Sequence, residues 1–305
     1  MTKSYEHPIP AELTKNVSAI CGSRGEEWLK RLPVLIGELE EKWAIAVDAP
    51  FEKGEFNFVA GAHSELDLDS VIKIGPPYDP VEIFSEANFL RVRNGDGCVL
   101  LLEEDRERQA ILMERARPGY PIDIHFQTDP FACVEPSIEV LRSILRPSPT
   151  CEVNIQFLDK WVANFRRFRE SDFPQDYGER ALATFEKLAS QSAGIYYLHG
   201  DFHPGNIVSS DRGPFLAIDP KGLVGHVAYE ISVFLNNLHW WQKGKAGVEN
   251  ELNNAVKKFA DAFELTEHDL REAAFAGMVI GAWWAFDEMP EHYDNEVALA
   301  DVWDI

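Results

Sequence analysis

Eight consecutive residues, His199-Gly200-Asp201-Phe202-His203-Pro204-Gly205-Asn206, constrain this chain more than any other stretch. Pro204 lacks a backbone donor and Gly205 favours turns, so the segment reads as a loop and not a helix. Asp201 and Asn206 stand five residues apart, and Asp219 follows thirteen residues later in Ile218-Asp219-Pro220. One carboxylate able to position a hydroxyl and take its proton, followed by an amide oxygen and a second carboxylate, is the residue set that phosphoryl transfer with Mg2+ requires. His199 and His203 have the spacing of a helical zinc pair, but Gly200 and Pro204-Gly205 set them on a loop and argue against that metal.

The flanks supply the context. Ile195, Tyr197 and the run Phe215-Leu216-Ala217-Ile218 read as short strands that hold Asp201 and Asn206 at one mouth and return Asp219 beside them. With its loop and its Ile218-Asp219 pair, the chain resembles the aminoglycoside phosphotransferase family of kinase-like enzymes. The continuation Asp219-Pro220-Lys221-Gly222-Leu223-Val224-Gly225 is similar to its streptomycin 6-phosphotransferase and hydroxyurea phosphotransferase branch. The resemblance implies an α+β, protein-kinase-like bilobal fold. A small β-rich N-terminal lobe would span residues 1–115 and a mainly helical C-terminal lobe residues 116–305.

Composition narrows the partners. With 29 basic and 51 acidic residues the formal net charge is −22, which argues against nucleic acid, whose phosphate backbone needs a basic face. The charge suits a cationic small molecule, or a surface that is merely well solvated. Four scattered cysteines without a C-x-x-C pair fit a reduced compartment. No charged-then-apolar leader pattern opens the chain, and the apolar stretch Phe275 to Phe286 is too short to span a bilayer as a helix. A cytoplasmic protein without a membrane partner is expected, as a monomer or weak dimer.

In chain order, residues 1–25 are polar with Pro8 and Pro10 and read as a loosely held arm. Trp28, Leu32, Leu35, Ile36 and Leu39 then space out one face of a helix from Glu26 to Trp43. Strands are expected at Trp43 to Val47 and Asn57 to Ala60, joined by a loop with a single glycine, Gly54, where protein kinases carry three. Val71-Ile72-Lys73-Ile74 plants a lysine in an apolar strand, which is costly unless the ammonium meets a negative partner. The next helix, Glu82 to Arg93, offers Glu86, with Glu82 as the alternative; a lysine whose head snorkels to water is the bland reading. The resemblance implies that Lys73 and Glu86 pair and that Lys73 holds nucleotide phosphates. Two more strands, Cys98 to Leu102 and Ala110 to Met113, flank an acidic turn at Glu104-Asp105. Beyond them Met113-Glu114-Arg115-Ala116 matches the hinge whose backbone, at Glu114 and Ala116, meets the adenine edge; an ordinary connector reads the same way.

The remainder is helical by pattern: Ser137 to Leu145, Phe157 to Arg169, Tyr177 to Gln191, Tyr229 to Trp241, Val248 to Phe263 and Asp269 to Met289. Trp240-Trp241 and Trp283-Trp284 read as helix-contact aromatics. Glu230, opening a helix, is expected to brace the catalytic loop through its N–H groups, while Lys221 either touches phosphate or is solvated. Asp287 to Ile305 carries seven carboxylates and no Lys or Arg. It reads as an exposed acidic tail or as a wall, with Asp287, Glu288 and Glu291, that attracts a cationic acceptor.

What the resemblance implies for chemistry is direct transfer of the ATP γ-phosphoryl group to a small-molecule hydroxyl. Asp201 would act as the catalytic residue, and Asn206 and Asp219 as Mg2+ ligands. A streptomycin-type aminoglycoside is the first acceptor expected. Hydroxyurea, another small metabolite, or nucleotide binding without catalysis are the alternatives.

Overall fold

The computed structural model describes residues 5–52, 54–64, 69–78, 82–147, 156–157, 163–191, 194–238, 249–288 and 296–304. Two compact units divide the chain, Met1–Gly119 and Tyr120–Ile305.

The first unit is an antiparallel five-stranded sheet backed by helices. Its elements are α1 (Ala11–Cys21), α2 (Ser23–Trp43), β1 (Ile45–Pro50), β2 (Phe58–Ser64), β3 (Asp69–Ile74), α3 (Ile83–Arg93), β4 (Leu101–Asp105) and β5 (Ala110–Glu114), with strand order β1-β2-β3-β5-β4. Register explains which face is which. Phe58, Ala60 and Ala62 pair with Ile74, Ile72 and Ser70, and this face packs on Leu32, Ile36 and Leu39 of α2. The alternate residues, Val59, Lys73 and Ile111, share the opposite face, since side chains alternate along a strand.

Two local expectations are corrected here. The segment expected as a loose arm contains α1, whose Leu13 and Val17 are fully buried, and Tyr5 donates to the Asp48 carbonyl at 2.8 Å. Gly25 makes this possible: a Cβ there would stand 2.4 Å from the Val17 carbonyl oxygen, so only glycine lets α2 cross α1 this closely. Glu104-Asp105 ends β4 and is not the turn, which falls at 106–109. Asp105 is buried beneath Lys42 and Arg108, at 2.8 and 3.1 Å, and these cations hold its carboxyl below the usual range against the opposing effect of burial.

In the second unit, helices α4 (Val134–Ile144), α5 (Gln175–Ser190), α6 (Val227–Asn236), α7 (Glu249–Phe263) and α8 (Glu267–Glu288) surround short strands. Strands β6 (Arg146–Pro147), β7 (Gln156–Phe157), β8 (Ile195–Leu198) and β11 (Leu223–His226) form one sheet, ordered β6-β8-β11-β7. The antiparallel hairpin β9 (Ile207–Ser210) and β10 (Phe215–Ala217) carries the expected return of the chain. Of the helix expected from Phe157, residues 163–170 are helical while Phe157 lies in β7. His226 caps α6: its Nδ1 accepts the Ala228 N–H at 3.1 Å.

The acidic tail is corrected as well, for the residues described. Residues Glu296–Trp303 form a 3-10 helix with Val297, Ala300, Val302 and Trp303 buried. Its carboxylates are met by Tyr177, whose hydroxyl donates to Asp301 at 2.7 Å, and by Arg180, 2.8 Å from Asp304. Asp287, on α8, is held by both terminal nitrogens of Arg167 at 3.0 and 3.1 Å. Trp283 is buried and Trp284 partly exposed, whereas Trp240-Trp241, Glu291 and the side chain of Glu288 lie outside the described residues. Among the described residues no helix is long and apolar enough to cross a membrane.

Candidate active site

In the first unit, β3 and α3 bring Lys73 and Glu86 together. The Lys73 Nζ donates to Glu86 Oε2 at 2.6 Å, and both residues are buried. This resolves the choice left open by the sequence. Glu82 is exposed at the start of α3, while Glu86 lies one turn further on, facing the sheet. Burying such a pair is tolerable because each charge compensates the other, and removal of either would deprive the other of this ion-pair partner. Glu114 ends β5, and its N–H and its carboxylate both engage Leu100, donating to the carbonyl at 2.8 Å and accepting the N–H at 2.9 Å. Ala116 follows on the half-buried connecting stretch.

In the second unit the loop between β8 and β9 places Asp201 and Asn206 side by side. The Asn206 amide donates to the Asp201 carbonyl at 3.0 Å and more weakly to its carboxylate at 3.4 Å. With the amide nitrogen so used, the amide oxygen is left for a ligand. Asp219 follows β10 and adopts φ +59. This left-handed conformation is uncommon for a residue with a Cβ, and a short polar side chain tolerates it best. The two loops are tied by backbone bonds: Ile218 N–H donates to the Asn206 carbonyl at 2.9 Å, and Lys221 N–H to the His199 carbonyl at 2.6 Å.

His199 adds the third tie. Its Nε2 bonds the Ile218 carbonyl at 2.8 Å, so that nitrogen carries the proton, and its Nδ1 accepts the Asp201 N–H at 3.3 Å. Burial pushes its pKa down to about 3, keeping the imidazole neutral in the tautomer these partners require. His203 braces the same loop, its Nδ1 accepting the Gly205 N–H at 3.1 Å.

Glu230 performs the brace expected of it. Completely buried at the start of α6, it accepts the Gly200 N–H at 3.0 and 3.1 Å on its two oxygens and the Phe202 N–H at 3.3 Å. Burial pushes its carboxyl up to about 8, outweighing the backbone donors that favour the anion. Gly200, at φ +85, is required here, because a Cβ would lie 2.8 Å from Leu223 Cγ.

Asp201 opens onto a cavity of about 470 Å³ lined by residues of α6 and α8, including Tyr229, Ser232, Asn236, Gly277, Gly281 and Trp284, together with Lys221. Burial raises the Asp201 carboxyl above its ordinary value, opposed first by His203 and Lys221. None of the α6 and α8 lining residues was singled out as functional from the sequence, apart from Trp284 as a packing aromatic. A signal existed: Gly277 and Gly281 are four apart on one helix face, and a Cβ at Gly281 would meet open space.

The fold so described is that of small-molecule kinases. The chain superposes on a choline kinase from Streptococcus pneumoniae with a TM-score of 0.60 and 11% identity, covering 92% of this chain and 99% of that one. It also superposes on a thermostable mutant of aminoglycoside phosphotransferase APH(4)-Ia, with a TM-score of 0.57 and 14% identity over 87% and 96% of the two chains. The chain belongs to the aminoglycoside/hydroxyurea antibiotic resistance kinase family, whose model matches residues 68–288. Among its relatives, a hydroxyurea phosphotransferase from Kitasatospora aureofaciens is 28% identical over 96% of this chain and 85% of its own length. A streptomycin 6-kinase from Streptomyces glaucescens is 26% identical, covering 76% and 75% respectively.

Proposed function

We propose that this protein transfers the γ-phosphoryl group of ATP to a hydroxyl of a small polar molecule of the antibiotic type on which its family acts. The observation that carries the reading is Asp201 at the edge of the cavity, its backbone and side chain both bonded by Asn206. An acceptor hydroxyl seated there donates to the Asp201 carboxylate, which fixes its lone pair for attack and receives its proton as the new P–O bond forms. Lys73, oriented by Glu86, would place the nucleotide phosphates, and the backbone at Glu114 and Ala116 the adenine.

Asn206 and Asp219 would hold Mg2+. Their hard oxygen donors suit it, and the locked Asn206 amide leaves its oxygen available. Among the described residues no three His, Cys, Asp or Glu side chains converge, but Mg2+ bound through one carboxylate and substrate phosphates needs no such cage. When bound, the ion neutralises charge on the phosphate oxygens.

The lining of the cavity favours a compact, uncharged acceptor such as hydroxyurea. Asp201 is its sole carboxylate among the described residues, Lys221 is a cation, and Ser232, Asn236 and Asn237 offer neutral hydrogen bonds. Asp287, expected on a cation-attracting wall, is taken by Arg167. A streptomycin-type acceptor is the second reading, favoured by the net charge of −22 and by the streptomycin 6-kinase relatives. The test is a panel of hydroxyurea, streptomycin and simple alcohols with ATP and Mg2+, scored for phosphorylated product by mass spectrometry. Asp201→Asn serves as control and should lose about 100-fold or more in kcat. Product from the panel that is undiminished in Asp201→Asn would overturn the assignment.

A further inference from the structure

Lys221 is held rigidly at its stem and left loose at its head. Its N–H donates to the His199 carbonyl at 2.6 Å, and the Gly222 N–H joins the same oxygen at 3.1 Å. Its Cβ lies 3.1 Å from where a Cβ on Gly200 would stand, so the glycine permits the two loops to cross at that point. The ammonium, in contrast, stands 3.7 Å from Asp219 Oδ2 and 4.0 Å from Asp201 Oδ2. Both separations exceed the 2.7–3.2 Å typical of N–H···O bonds. The cation is therefore suspended between the carboxylate that faces the acceptor and the one expected to face the metal, on the wall of the acceptor cavity. Its three donors are committed to neither.

That position has a chemical meaning. A phosphoryl group moving to an acceptor beside Asp201 carries its charge on three non-bridging oxygens, and two carboxylates nearby repel it. An ammonium suspended between them offsets the repulsion where the charge sits during transfer. We propose that Lys221 is a catalytic residue that hydrogen-bonds a non-bridging oxygen of the phosphoryl group in transit. The inference rests on the phosphotransfer reading above. In the step, the bond from the γ-phosphorus to the β–γ bridging oxygen breaks and its electron pair leaves with ADP. The acceptor oxygen forms the new P–O bond, its proton passes to Asp201, and Lys221 donates a hydrogen bond while keeping its own proton.

The experiment compares wild type, Lys221→Gln and Lys221→Arg, with circular dichroism melting to verify folding and Lys221→Met in reserve should the Gln variant not fold. Isothermal titration measures binding of Mg·ADP alone and of Mg·ADP with aluminium fluoride, which imitates the planar phosphoryl group. In Lys221→Gln, Mg·ADP affinity should stay within about threefold, while the extra tightening by aluminium fluoride should fall by about tenfold or more. Lys221→Arg should recover part of it. On the acceptor that wild type uses, kcat of Lys221→Gln should drop by about 100-fold or more, and the loss should persist at every pH. Undiminished tightening in Lys221→Gln overturns the proposal. So does a kcat that recovers fully at high pH, because the lysine would then only keep Asp201 ionised. Wild type that binds no Mg·ADP would refute the phosphotransfer reading itself and this inference with it, an outcome distinct from the other two.

Discussion

Replacing Glu230 by Gln tests how the loop that carries Asp201 is held. In an unfolded chain this carboxyl ionises near 4.5; in the fold, burial carries it to about 8. Between those values the folded state binds more protons than the unfolded one. The group's contribution to stability is therefore complete below about pH 4.5 and declines as pH rises to 8. At about 1.4 kcal/mol per pH unit, the decline between pH 5 and 8 amounts to about 4 kcal/mol at most. The Gln variant cannot titrate. Its carbonyl, in the place of Oε1, still accepts the Gly200 and Phe202 N–H groups, but its NH2, in the place of Oε2, faces the Gly200 donor, an unsatisfied contact costing about 1–3 kcal/mol. Glu230→Gln should thus be the less stable protein near pH 5, and the gap should close or invert by pH 8.5. Urea unfolding followed by tryptophan fluorescence at pH 5, 7 and 8.5 measures this, and subtracting variant from wild type cancels the other titrating groups. A gap that does not change with pH would refute the reasoning, since Glu230 would then be equally ionised in the folded and unfolded chains.

Two further predictions concern the nucleotide and the ion. Lys73→Met leaves the Glu86 carboxylate buried without its ammonium, which should destabilise the protein by about 3–5 kcal/mol and raise the KM for ATP. Thermal melting should show most of the stability restored in the Lys73→Met, Glu86→Gln double variant. Asp219→Ala should weaken Mg2+-dependent ATP binding more than Asn206→Ala, because a carboxylate is the stronger ligand for a hard cation. Isothermal titration with and without Mg2+ measures both, and the same Mg2+ effect in each variant as in wild type would remove these residues from the ion.

The parts whose signals are local can be read from the chain before it folds. Pro204-Gly205 dictates a loop, Asp201 and Asn206 must be neighbours within it, and Ile218 marks a strand end that delivers Asp219. An apolar strand around Lys73 announces a buried charge in need of a partner, and the apolar spacing from Trp28 to Leu39 is enough to specify α2. What depends on distant segments meeting is visible only in the folded molecule. Glu86 rather than Glu82 faces Lys73 because α3 turns that side to the sheet. The first helix is ordered by packing across Gly25, a contact invisible in a polar segment with few apolar residues. The terminal carboxylates read as a repelling, solvated tail until Tyr177 and Arg180, more than a hundred residues earlier, are brought against them. The cavity beside Asp201 is likewise assembled from one face each of α6 and α8. Turn and strand preferences act over a few residues, whereas an ion pair or a cavity exists only once the chain has closed long loops around it.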